Sequence, residues 1–202
     1  QVLYYQSLQN LAYLEKAAAV EGLENKTPTI KRTDGELIAY DLTVEHLQLL
    51  AARVAAKVQQ PVDVANKTGF FDTEKGRFIE GFNKHGDVVD YGSTIFNNMV
   101  VAAGMATKAQ AKQVVSWISG DRAVEGDDAT GYKGDPEEYL DYGIYDYEFA
   151  PRTTTLKNYE QYTSGHYTEA NKAYSASCQD GGAILFTSYY DMQARLQAYG
   201  VD

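Results

Sequence analysis

Residues 94–120, TIFNNMVVAAGMATKAQAKQVVSWISG, decide the fold class. Ile95, Met99, Val100 and Ala103 recur at the three- and four-residue intervals that line up side chains on one face of an α-helix. Gly104 interrupts the pattern, which resumes at Thr107 and runs through Val114, Val115 and Ile118 to Gly120. Two periodic runs joined by Gly104-Met105-Ala106-Thr107 predict a helical hairpin. Phe96 and Trp117 fall at helical spacing and are expected in its core.

Upstream of the hairpin the period changes. The Gly-rich section from Gly69 to Gly92 holds Phe70-Phe71, the turn-like Asp72-Thr73-Glu74-Lys75-Gly76, and then Arg77-Phe78-Ile79, which reads as a short β-hairpin. Asn83-Lys84-His85-Gly86 predicts a second turn leading into Val88-Val89. Strands this short make a ribbon inserted between helices rather than a domain. Before the ribbon, a helix is predicted from a Thr43 cap to Pro61, with Leu47, Leu50, Ala51, Val54, Ala55 and Val58 as its buried stripe. The first helix is expected to bury Leu3, Leu8, Leu11, Leu14 and Ala18 and to end near Gly22. The chain begins within this helical pattern and stops at Gly200-Val201-Asp202, so an excised or processed portion of a longer chain is expected.

Downstream, residues 121–152 are rich in Gly, Asp and Tyr and show little periodicity, and a last helix is predicted from about Ala183 to Tyr199. The expected architecture is mainly α, antiparallel helical hairpins in a single domain over 1–202, with a small β-ribbon around 69–92. Composition narrows the function. Eighteen basic against 28 acidic side chains give a net charge of −10, which argues against a phosphate-gripping nucleic-acid binder. No apolar run approaches the roughly 20 residues that cross a bilayer. A lone Cys178 and three dispersed histidines, His46, His85 and His166, give no metal site of zinc spacing, and no phosphate loop, dinucleotide fingerprint or GxSxG elbow is present. The acidic stretch Asp127-Asp128 to Glu137-Glu138 lacks the EF-hand ligand pattern and reads as solvated, so neither a metal nor a cofactor is expected. The unusual count is 17 tyrosines, eleven of them between residues 132 and 190, which suits a cleft that stacks on sugars.

Three segments carry a more specific signal. The first runs from Gly76-Arg77-Phe78 to Asp90-Tyr91-Gly92 and continues through Asn97, Ala103-Gly104-Met105-Ala106-Thr107 and Ala111. The second is Phe149-Ala150-Pro151-Arg152-Thr153-Thr154-Thr155, and the third is Gln179-Asp180-Gly181-Gly182-Ala183-Ile184 with Thr187-Ser188-Tyr189-Tyr190-Asp191, Ala194-Arg195 and Tyr199-Gly200. Together, from about residue 65 onward, they resemble blocks of the bacterial six-hairpin glycosidases. The resemblance implies an (α/α)6 toroid whose loops at one end bind sugar. Such a toroid needs about twice this length, so it also implies that a remaining part of the barrel, or another chain, completes it.

Glycoside hydrolysis needs two carboxyl groups, one protonated and one ionised. Asp180 precedes a double glycine at the start of the last predicted helix, where a substrate can approach backbone N–H groups, and is the first candidate, with a helix cap as the competing account. Asp90, Asp146 and Glu148 are candidates for the second carboxyl; at Asp90 a helix N-cap is the competing account. Arg152, held rigid after Pro151, reads either as an ion-pair partner of the acids around it or as a donor fork to sugar hydroxyls or a uronate, and Tyr91, Tyr145, Tyr147, Gln179, Tyr189 and His166, for which a solvated side chain is the competing account, complete the expected sugar contacts. The expectation is therefore a hydrolase acting on an oligo- or polysaccharide, with inversion as the superfamily implies.

Two other readings stay open. A polysaccharide lyase on a related toroid would use His166, Tyr167, Arg152 and Asn171 beside a uronate carboxylate. A carbohydrate-binding helical module would need no catalytic pair. Polysaccharide degradation and scarce cysteine suit a periplasmic or extracellular location, with the cytoplasm also open.

Overall fold

The computed structural model describes residues 1–23, 29–122, 124–125 and 187–201. About 51 % of these are helical, in five helices accompanied by three two-stranded antiparallel ribbons, so the fold is mixed rather than mainly α. The chain divides into two compact units, Gln1–Lys57 and Val58–Asp202.

The first unit holds helix α1 (Val2–Val20), strands β1 (Thr29–Lys31) and β2 (Leu37–Ala39), and most of helix α2 (Val44–Gln59). Helix α1 buries Val2, Tyr5, Leu8 and Ala12, while Leu3 and Leu14 are exposed. The predicted stripe was rotated: spacing alone fits several apolar faces on a helix this rich in Leu, Tyr and Ala, and packing selects one. Helix α2 buries Leu47, Ala51, Ala55 and Val58, as its spacing predicts, with Leu50 and Val54 at the half-buried margin. The Thr43 hydroxyl accepts from the His46 N–H at 3.4 Å, a cap without the reciprocal glutamate. Strands β1 and β2, with Thr29 opposite Ala39, were not predicted, because a three-residue strand is too short to show alternation.

The second unit follows the ribbon-then-hairpin order read from the sequence. Strand β3 (Phe71–Asp72) pairs with β4 (Arg77–Phe78), and β5 (Gly81–Phe82) pairs with β6 (Val88–Val89). Helices α3 (Thr94–Ala102) and α4 (Lys108–Ile118) form the predicted hairpin, and α5 (Thr187–Tyr199) packs on both. Ala194 and Ala198, both fully buried, give α5 the small-residue face that permits close approach. At the end of α3 the N–H groups of Gly104 and Met105 turn back to the Val101 and Val100 carbonyls, with Gly104 at φ +74°. That is a left-handed helix stop, and it explains the break in period. Helix α4 restarts from a capping box between Thr107 and Gln110.

The core of this unit joins Phe78, Ile79, Val100, Val101, Met105, Val114, Val115, Trp117 and Ile118, all essentially inaccessible. Phe71 and Phe78 meet edge to face at 5.0 Å. Trp117 is buried as expected, whereas Phe96 is only half-buried. Asn97 stitches ribbon to hairpin: its Oδ1 accepts from the Phe78 N–H at 2.8 Å and its Nδ2 donates to the Phe78 carbonyl at 3.0 Å. A carboxamide thus takes the place of a neighbouring strand along β4.

Candidate functional site

Of the residues expected to act on substrate, the structure places Asp90 and Tyr91 together where β6 gives way to α3. Tyr189 lies on α5, 59 % exposed, its ring edge to face with Tyr190 at 5.3 Å. Asp180, Asp146, Glu148, Arg152, Tyr145, Tyr147, Gln179 and His166 lie outside the described residues.

Asp90 is not the N-cap of α3. Ser93 takes that position, its hydroxyl accepting from the Phe96 N–H. The reason is reach: the helix starts at Thr94, so the Asp90 carboxylate lies too early to serve the first turn and turns to other donors. Its Oδ2 accepts from Lys75 Nζ at 2.6 Å and from Arg77 Nη2 at 2.9 Å, and its Oδ1 accepts from the Gly92 N–H at 3.0 Å. The carboxylate is 5 % exposed and Arg77 is fully buried, with its guanidinium carbon 4.8 Å from the centre of the Trp117 ring. Burial by itself drives the Asp90 carboxyl upward, yet Arg77 and Lys75 outweigh it, and the group titrates below the ordinary aspartate range.

Glu80 stands across the turn. Its Oε2 accepts from the Tyr91 N–H and its Oε1 from the Ser93 N–H, each at 2.9 Å. Burial pushes its carboxyl above the ordinary glutamate range, and the charge on Asp90 adds to that push against the two backbone donors. Two neighbouring carboxyl groups therefore titrate apart, one held ionised and one drawn toward its protonated form.

Arg122 braces the same region from beyond α4, donating to the Lys75 and Gly76 carbonyls at 2.7 and 3.1 Å. Asp87 closes the turn before β6, its carboxylate accepting from the Asn83 side chain at 2.9 Å. The sequence reading named Arg77 and Asn97 only as parts of the ribbon or of a resembling block and gave no site role to them or to Lys75, Glu80 or Arg122. No local signal separates them from surface residues, because Arg77 sits in a two-residue strand buried on both sides and its partner is 13 residues away. A second polar cluster links the helices: Arg195 donates to Asp191 at 2.9 Å and to Ser119 at 2.8 Å, and Asn98 reaches Asp191 at 3.4 Å.

Among the described residues no group of three or more His, Cys, Asp or Glu side chains is placed to hold a metal ion, and no helix is long and apolar enough to cross a membrane. No protein-family model, curated protein or solved structure matches the chain.

Proposed function

We propose that the protein is a carbohydrate-active hydrolase of the six-hairpin type, contributing part of an (α/α)6 toroid that the remainder of the barrel or another chain completes. The observation that carries the reading is the Asp90 junction. The segment from Gly76 to Thr107, which resembles the first family block, folds as one unit, with a buried ionised carboxylate beside a half-buried tyrosine.

Asp180 pairs in this reading with one of Asp90, Asp146 or Glu148. The environment of Asp90 favours the ionised role within such a pair: Arg77 and Lys75 sit on one of its oxygens and hold the carboxyl below the ordinary range, which in this reading leaves the proton to Asp180. Inversion calls for a carboxyl separation of roughly 6.5–9.5 Å, room enough for the attacking water. Arg152, Gln179, His166 and the tyrosines 91, 145, 147 and 189 orient the sugar in this reading, and a polysaccharide substrate suits the periplasm or the exterior of the cell, with the cytoplasm also open.

The test is a panel of aryl glycosides and reducing-end-labelled oligosaccharides, with Asp180→Asn as the decisive variant. Loss of a catalytic proton donor lowers kcat by about 10²–10⁴-fold. Unchanged hydrolysis by Asp180→Asn would falsify the assignment, and a gain in ultraviolet absorbance on uronate polymers without hydrolysis would replace the hydrolase by a lyase.

A further inference from the structure

Three successive backbone N–H groups at the start of the hairpin are held by two carboxyl groups in alternation. Tyr91 N–H goes to Glu80, Gly92 N–H to Asp90, and Ser93 N–H to Glu80 again. One carboxyl group bridges residues 91 and 93 while the other fills the gap, which fixes the peptide planes on both sides of Tyr91. Glu80 is itself anchored, because its own N–H donates to the Val89 carbonyl at 3.0 Å across the β5–β6 ribbon. Asp90 is anchored from the opposite side by Arg77 and Lys75, and Arg77 is backed by Trp117 of α4.

We propose that Glu80 is a positioning residue that sets the Tyr91–Ser93 turn, and through it the Tyr91 ring, for contact with a sugar. The frame stands on the hydrogen bonds alone, whereas the sugar contact rests on the hydrolase reading above. Glu80 accepts from the amides on either side of the Tyr91–Gly92 pair and so restrains both residues, with Asp90 holding the amide between them, and the aromatic of that pair is half-buried just before α3. The charged groups facing Glu80 from this surround are Asp90 and, beyond it, Arg77 and Lys75. Asp90 raises the Glu80 carboxyl and the two cations lower that of Asp90, so each carboxyl group has its own titration range to report.

Amide chemical shifts read the frame directly. In the full chain, the Tyr91 and Ser93 amides are expected to titrate together, with one midpoint above the ordinary glutamate range, and the Gly92 amide separately at lower pH. In Glu80→Gln the first two stop titrating while Gly92 continues. Against aryl glycosides, Glu80→Gln is expected to raise KM by about tenfold, the loss of one hydrogen bond to a charged acceptor, with a smaller change in kcat. Tyr91→Ala raises KM alike, and the double variant no further, because both changes remove the same contact.

Independent or absent titration of the Tyr91 and Ser93 amides overturns the frame in the wild-type protein, without recourse to a variant. Additive KM effects overturn the positioning of Tyr91. Correct titration in a protein that turns over no aryl glycoside or oligosaccharide overturns the hydrolase reading and the sugar contact with it, and leaves the frame standing.

Discussion

The β1–β2 ribbon and the β3–β4 ribbon are built from similar parts and differ in what surrounds them. Each has a tight turn, a positively charged arginine and carboxylates within reach. In the first, Arg32 lies 3.6 Å from Asp34 and 3.4 Å from Glu36, with the arginine side chain 54 % exposed. In the second, Arg77 is fully buried and meets Asp90 at 2.9 Å. Water competes for every charge in the first ribbon and screens the pair, so the contact contributes little. In the second, water has been excluded from Arg77, and each ion depends on its partner for the solvation it lost on folding. The lesson is that burial, not pairing, makes an ion pair structurally decisive.

The largest expected effect follows from removing one buried partner. Asp90→Asn keeps the shape and leaves Arg77 without its full counter-charge, a change that costs about 3–5 kcal/mol. Urea unfolding of the second unit measures it, and a loss below 1 kcal/mol would erase the contrast between the ribbons.

Next come two glycine positions, Gly69 ahead of the β3–β4 ribbon and Gly35 in the turn that joins β1 to β2. Gly69 has φ +72°, and a Cβ there would lie 1.9 Å from the Pro61 carbonyl oxygen, whereas at Gly35, φ +88°, the nearest atom is the end of Lys31 at 3.9 Å. Gly69→Ala combines backbone strain with a clash against main chain and is expected to cost roughly 2–4 kcal/mol. Gly35→Ala carries the strain alone, about 1–2 kcal/mol. Thermal midpoints of the two variants, measured side by side, give the difference.

Acidity sharpens the contrast further. Asp90 titrates lower in the folded protein than its ordinary 3.8, so its contribution is present above that pH and is lost as pH falls through the folded value. Glu80 titrates higher than its ordinary 4.5, so its contribution is present below that pH and is lost as pH rises through the folded value. Unfolding midpoints measured across pH are expected to lose their acid-side slope below about pH 4 in Asp90→Asn. In Glu80→Gln the slope above about pH 4.5 flattens instead. The smallest effect belongs to Arg32→Ala, expected within about 0.5 kcal/mol of wild type at moderate salt.

Periodicity was a sufficient guide wherever one face of an element meets a continuous core. The α3–α4 hairpin, the stop at Gly104, the stripe of α2 and the double ribbon between residues 69 and 92 all follow from spacing and turn residues. It misled on α1, where Leu3 and Leu14 are exposed and Val2 and Tyr5 are buried, because apolar residues lie on more than one face. The candidate site was legible only at Asp90 and Tyr91, both marked by their place between a strand and a helix. Their partners were not. Arg77 lies in a two-residue strand and Glu80 beside a glycine, and nothing within a few residues of either marks it as buried until both sides of the ribbon are covered.

The sequence by itself determined the order of the helices and of the ribbons between residues 69 and 92, the helix stops and turns, the surplus of acid and the concentration of tyrosine, since each is read from composition or from neighbours within a few residues. Only the tertiary structure decided that Lys75, Arg77 and Asp90 share one site, that Glu80 and Asp90 divide three consecutive amides between them, and that the two carboxyl groups titrate apart. Those outcomes depend on exclusion of water and on contacts between residues 11 to 15 positions apart, which packing brings together.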